Sequence, residues 1–206
     1  MQDEHGFIWL AMLDTIDVDL AGTRVLDAGC NRGGFLRLLA DTRGIAEGLG
    51  YDPAGGAIDD ARRLAGDRPL RFEVASTVPA AWRDLDVAFS HEVLYLLTDL
   101  EAHARSVHGA LRRGGVYFAT LGAHAGSPMM AAWHAAHRDE LQLPPLREVD
   151  EVVDAFRRVG FDAAVSRLAV RFVPCGGRGH HDEGGVLDWL AYYYDQKLLL
   201  RFSRPD

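Results

Sequence analysis

Asp27 and Asp52 are two carboxylates that each close a short apolar run, and a glycine-rich turn, GCNRGG at residues 29–34, follows the first. Gly29, Gly33 and Gly34 lack a Cβ, so a ligand can approach the backbone closely there. Asn31 is the residue best suited to replace glycine in a left-handed conformation. An apolar pattern of helical spacing opens at Phe35–Leu36, which places the turn at a helix N-terminus with free N–H groups facing whatever sits in it. Asp52 stands about 20 residues beyond the turn, the spacing at which an acidic residue meets ribose hydroxyls. A carboxylate accepts hydrogen bonds from a vicinal diol and repels a phosphate, so the pattern points to a nucleoside. Taken singly, Asp27 caps a turn and Asp52 before Pro53 starts a helix; the two together carry the ligand reading.

Such a site needs a parallel sheet with its strand ends gathered at one crevice. The chain alternates strand and helix patterns accordingly. A helix is expected over 5–17, followed by strands TRVLDA, IAEGLGYD, PLRFEVA and DLDVAFS, with helices after the first two of them. Helix TDLEAHARSVHGALRR, stopped at Gly114–Gly115, leads to a fifth strand, GVYFATL. Segment 122–147 then breaks the alternation with a helix between Pro128 and Pro144–Pro145. Helix EVDEVVDAFRRVG, strand FDAAVSRLAVRFV, a loop GGRGHHDEGG, helix VLDWLAYYYDQ and strand KLLLRFS complete the chain. The expected fold is α/β: a Rossmann-like, seven-stranded, mostly parallel sheet with helices on both faces and an antiparallel addition at one edge. No repeat, low-complexity tract or linker interrupts it, so 1–206 is expected to be a single domain. At the strand ends stand Asp27–Gly29, Tyr51–Asp52, Ser76–Thr77 and Ser90–His91–Glu92.

Bulk properties narrow the partners. The net charge is -8, against nucleic acid as a general partner, since phosphate neutralisation needs a basic face. Arg157, Arg158, Arg167 and Arg171 are expected to be solvated or paired. Lys197 is the only lysine. No apolar run approaches the ~20 residues of a membrane span, and the acidic start MQDEHGFIWL lacks the basic flank of a secretory signal. Cys30 and Cys175 give neither a disulfide framework nor a zinc pattern. The expectation is a soluble cytoplasmic protein without a metal site, and the His180–His181–Asp182–Glu183 run is expected to be a solvated loop.

The ordered set of motifs resembles the class I S-adenosylmethionine-dependent methyltransferase family. VLDAGCNRGGF resembles that family's first motif, GLGYDPAGGAIDDAR its ribose motif, DLDVAFSHEVLYLL its fourth strand and following turn, and LRRGGVYFATL its fifth strand. A nicotinamide oxidoreductase fits less well, because Asn31 occupies the second glycine position of the dinucleotide fingerprint G-x-G-x-x-G. The resemblance implies S-adenosyl-L-methionine as cofactor. Asp27, Gly29 and Gly33 would shape its methionine pocket, Cys30 and Asn31 in the same turn would also contact it, and Asp52 would hold its ribose. Ser76 or Thr77 would serve adenine, where the family often has an acidic residue, and Ser90 and His91 would lie beside the sulfonium. The implied activity is methyl transfer to a small-molecule acceptor, through O, N or S, by in-line displacement; the alternative is a non-catalytic adenosyl-ligand-binding regulator or partner subunit.

Alignment and water exclusion are the protein's share of such a reaction. A hydroxyl acceptor also needs a base, for which His91 and then His134 are the candidates. The N-terminal helix region 1–20 and segment 122–147 are expected to form a lid. Trp9, His124, Trp133, His137 and Tyr193 are the candidate acceptor-binding residues.

Overall fold

The computed structural model describes residues 2–173 and 185–206, with side chains from Gly6 onward. Its elements are α1 (Gln2–Thr15), β1 (Arg24–Ala28), α2 (Gly34–Arg43), β2 (Glu47–Asp52), α3 (Gly55–Ala65), β3 (Leu70–Val74) and β4 (Leu85–His91). A 3-10 turn at Leu94–Leu96 leads to α4 (Leu100–Ala110), β5 (Leu111–Leu121), α5 (Pro128–Leu141), α6 (Val149–Val159) and β6 (Asp162–Arg167). After α7 (Val186–Ala191), a π-helical turn at Tyr192–Gln196 runs into β7 (Leu198–Ser203).

The described strands form one seven-stranded sheet in the order β3-β2-β1-β4-β5-β7-β6. The first five are parallel; β7 runs antiparallel to β5 and β6. The expected fold class and antiparallel edge are therefore present. Strand order reverses between β1 and β4, which opens the crevice at their carboxyl ends. Because β7 is antiparallel, its first residues return to that same rim: Leu198 pairs with Leu121.

Side-chain alternation along the strands sends Leu26, Ala88, Tyr117 and Phe202 to one buried face, beneath α4 and α6. Val25, Val87, Phe89 and Phe118 go to the other, beneath α1, α2 and α3. Ile8, Ala11 and Met12, spaced at i, i+3 and i+4, bury one side of α1 against this second face. The helix expected as part of a lid is thus packed into the core. Among the described residues of α5, by contrast, only His134 is buried.

Two predicted boundaries are corrected. The helix expected through Arg113 ends at Ala110, because Leu111 pairs with Leu85 and enters β5, and Gly114, with φ 69°, lies inside that strand. The strand expected over 161–173 ends at Arg167. Beyond it, Leu168 and Val170 turn into the core beside α1, and the Ala169 N–H donates to Thr15 Oγ1 at 3.0 Å.

Among the described residues no helix is long and apolar enough to cross a membrane. Three of the four arginines expected to be solvated or paired form ion pairs: Arg157 with Asp154, Arg158 with Glu101 and Arg167 with Asp195. Cys175 and the run His180–Glu183 lie outside the described residues.

Candidate functional site

The loop after β1 is built by the second strand. Gly29 and Cys30 both donate their N–H groups to the Tyr51 carbonyl, at 2.9 and 3.0 Å, and the Gly33 N–H closes the turn onto Cys30 O at 2.8 Å. Gly29, Asn31 and Gly33 have φ of 75°, 47° and 68°, so asparagine does occupy a left-handed position. The glycines also answer to protein neighbours. A Cβ on Gly29 would lie 2.6 Å from Val93 Cγ2, and one on Gly33 2.6 Å from Phe72 Cζ. Cys30 is buried and turned inward over Gly50, where burial pushes its thiol pKa up; only its backbone can face the turn.

Asp52, at the end of β2, holds this loop in place. Its Oδ2 accepts the Asn31 N–H and its Oδ1 the Ala54 N–H, each at 2.9 Å. Helix initiation is therefore one of its jobs. A carboxylate has about four acceptor positions, so each oxygen retains capacity for a ligand hydroxyl. Asp27 is buried at the end of β1, and among the described residues no hydrogen-bond donor or cation pairs with its carboxylate. Burial first, and the Asp52 charge second, push its pKa up to about 7. An unpartnered buried carboxylate is a fit for a ligand that brings its own cationic group.

The other expected cofactor residues are distributed less evenly. Ser76 and Thr77 are exposed after β3, and Thr77 Oγ1 lies 2.6 Å from Ser106 Oγ on α4. Ser90 is fully buried with its Oγ 2.5 Å from the Tyr117 hydroxyl, which in turn lies 3.1 Å from His103 Nε2. Strand alternation turns Ser90 into the α4–α6 face, away from the rim. His91 takes the opposite face, its Nδ1 2.9 Å from Thr120 Oγ1 and its ring 6.3 Å from that of Trp9.

The remaining candidates do not converge on one point. His134 is buried in α5 with Nε2 2.7 Å from Pro144 O, and His137 Nδ1 lies 2.8 Å from Trp133 O, so both rings bond within their own segment. Trp133 stacks on His137 and meets Tyr95 edge-on at 6.3 Å. His124 Nε2 reaches Gln196 O at 2.7 Å, and Ser127 Oγ donates to Gln196 Oε1 at 2.8 Å. The start of the 122–147 segment is thereby joined to the π-helical turn. Tyr193, in that turn, packs on Phe7 at 5.2 Å.

One cluster at the rim escaped the sequence reading. Glu92, directly after β4, has φ 55°. Its Oε2 accepts the Gly122 N–H at 3.1 Å and its Oε1 lies 2.8 Å from Lys197 Nζ, at the start of β7. Lys197 is buried against the rings of Tyr192 and Tyr193 and lies 3.4 Å from the Tyr192 hydroxyl. A Cβ on Gly122 would collide with that hydroxyl. The available signal was a lone lysine and a His–Glu pair after a strand, and nothing in their spacing joins them. Among the described residues no group of three or more His, Cys, Asp or Glu side chains could hold a metal ion.

Residues 26–119 match the family described as a methyltransferase domain. A malonyl-[acyl-carrier protein] O-methyltransferase of Enterobacter lignolyticus is 31% identical over 154 residues, 72% of this chain and 55% of that protein. One of the same name from Legionella pneumophila is 28% identical over 123 residues, 58% and 43% of the two chains. The chain spans about half the length of the curated relatives it matches. Among solved structures, a chain in the complex between the Haloferax volcanii Trm112 methyltransferase activator and a methyltransferase superposes with a TM-score of 0.83. It is 22% identical, with 100% of this chain and 92% of that one covered. An S-adenosylmethionine-dependent methyltransferase from Mesorhizobium loti gives 0.72 at 20% identity, covering 96% and 98%. At these identities the superpositions show the fold.

Proposed function

The chain belongs to the class I S-adenosylmethionine-dependent methyltransferase family, and we propose that it transfers the methyl group of S-adenosyl-L-methionine to a small-molecule acceptor. The observation that carries this reading is the pair Asp27 and Asp52 flanking a left-handed loop at the switch point of the sheet. Asp52 takes the ribose hydroxyls with the acceptor capacity left beyond its two backbone bonds. Asp27 takes the ammonium of the methionyl group, and Gly29, Asn31 and Gly33 shape the floor beneath it. Cys30 and Ser90 act through their backbones, since both side chains face the interior. Ser76 and Thr77 border the adenine side.

The cofactor supplies an electrophilic methyl on a sulfonium. The protein supplies alignment and dryness. Anchored over β2 by its ribose, the ligand extends across β1 toward the rim of β4 and β5. His91, Glu92 and Val93 stand there, with α5 above as the mobile wall of the acceptor site. An oxygen acceptor is the reading favoured by the relatives, which are named O-methyltransferases.

Methyl transfer from labelled S-adenosyl-L-methionine to an acceptor library, followed by identification of the labelled product, tests the activity. Formation of a methylated product that disappears in Asp27→Asn and Asp52→Ala is expected. Cofactor binding without turnover on any acceptor would support a non-catalytic binding subunit instead.

A further inference from the structure

Burying an ion pair at the rim of a ligand crevice is costly unless both charges are well partnered. The Glu92–Lys197 pair meets that condition incompletely. Lys197 is the deeper member, its side chain 6% exposed against 19% for Glu92. An incoming molecule therefore meets a carboxylate backed by an ammonium. Glu92 Oε2 uses one acceptor position for the Gly122 N–H, while Oε1, buried, faces Lys197 Nζ as an ion pair and accepts no hydrogen bond among the described residues. Both oxygens of the carboxylate therefore retain acceptor capacity.

Further features of the surroundings position this carboxylate. Its backbone is held at φ 55°, a conformation that costs energy for glutamate and persists only where surroundings over-determine it. Here the Glu92 N–H is bonded to Thr120, at 3.2 Å to Oγ1 and 3.3 Å to the carbonyl, and the side chain bridges β5 and β7. The next residue, Val93, is the one that packs against Gly29 in the cofactor loop. Lys197 is presented by a π-helical turn, a feature frequent at functional sites. Tyr95, close enough to Glu92 that burial and then this charge push its phenol up to about 12, supplies an aromatic wall with Trp133 beyond it.

We infer that Glu92, oriented by Lys197, is the acceptor-binding carboxylate, and that the acceptor is a hydroxyl on an aromatic body rather than a carboxylate. This rests on the methyltransferase reading above. The acceptor O–H donates to a free position on Glu92. As the acceptor oxygen bonds to the methyl carbon, the O–H proton passes to Glu92, and the electron pair of the breaking carbon–sulfur bond stays on sulfur. A carboxylate acceptor would instead meet like charge. Glu92 and Lys197 close the methyl end of the crevice as Asp52 closes its ribose end.

The test is ligand-observed NMR on the full chain saturated with S-adenosylhomocysteine, using 4-methylphenol and 4-methylbenzoate as shape-matched probes. Like-charge repulsion predicts that the phenol binds more tightly by about tenfold or more. Because Glu92→Gln leaves Lys197 buried without its counter-charge, the double variant Glu92→Gln/Lys197→Met is measured alongside. Glu92→Gln, with the Lys197 ammonium left uncompensated, is expected to shift preference toward the benzoate, and the double variant to bring the two probes to near-equal affinity, while S-adenosylhomocysteine binding persists in both. Preference of the wild type for the benzoate, binding of neither probe to the wild type, or an unchanged preference in the double variant overturns the inference. Failure to bind S-adenosylhomocysteine overturns the functional reading beneath it, so the two failures are distinct.

Discussion

The backbone N–H of Asn31 donates to Asp52 Oδ2 at 2.9 Å, so the loop after the first strand is tied to the carboxylate that ends the second. Removing that carboxylate acts on ligand and loop together. Asp52→Ala is expected to weaken S-adenosylhomocysteine binding by about 1.5–3 kcal/mol, the worth of charge-assisted hydrogen bonds. Thermal unfolding should register a smaller loss, of about 1 kcal/mol, since water can replace the carboxylate at a half-exposed site. Calorimetry and a melting curve on the same sample separate the two; an unchanged dissociation constant contradicts the ribose assignment.

Two buried groups give the apo protein opposed pH responses. Asp27, with its pKa raised from 3.8 to about 7, contributes stability fully present below the lower value and lost as pH rises through the upper one. Burial lowers the His103 pKa from 6.5 to about 4, so its contribution is present above the upper value and lost as pH falls to the lower. Between pH 4 and 6.5 the two slopes oppose each other. An ammonium-bearing ligand beside Asp27 holds it ionised and removes its slope. Denaturation midpoints across this window should therefore rise more steeply with pH when S-adenosylhomocysteine is bound. Asp27→Asn should show the steeper profile without ligand. Identical profiles for apo and bound wild type would contradict the role given to Asp27.

The two segments read from sequence as a lid are packed differently. One side of α1 is buried in the core, whereas α5 buries only His134 among its described residues. Hydrogen exchange is expected to show α1 protected before any ligand is added, and α5 gaining protection when cofactor and acceptor bind. Equal protection of α5 and β4 in the apo protein would make α5 a fixed wall.

Lys197→Met removes one member of a buried pair and should destabilise the fold by about 3–5 kcal/mol. The double variant Glu92→Gln/Lys197→Met leaves no uncompensated charge and should recover most of that loss. Urea denaturation of both decides it; equal losses in the two would mean that packing around the lysine stem, and not the charge, is what matters.

How much of this was legible in the residues depends on distance along the chain. The turn at 29–34 and Asp52 were readable because glycine, asparagine and acid spacing express local backbone demands. The antiparallel edge was readable from the broken alternation after residue 121. What local pattern does not carry is which face a side chain takes. Ser90 and Cys30 turn inward, and the space a side chain at Gly29 or Gly33 would need is taken by Val93 and Phe72. Glu92 and Lys197 lie 2.8 Å apart only because β7 returns antiparallel to the rim. The helix end at Ala110 was missed because β5 pairing captures Leu111 before the glycine stop is reached.

The central claim is that the crevice between β1 and β4 holds an adenosyl ligand through Asp27 and Asp52. Isothermal titration of the wild-type chain with S-adenosylhomocysteine, repeated with NAD and repeated in buffers of different ionisation enthalpy at pH 7, tests it most directly. The account predicts saturable one-to-one binding of S-adenosylhomocysteine, no heat from NAD, and proton release on binding that is absent in Asp27→Asn. Binding of NAD in place of S-adenosylhomocysteine, or binding with no buffer dependence in the wild type, would contradict it.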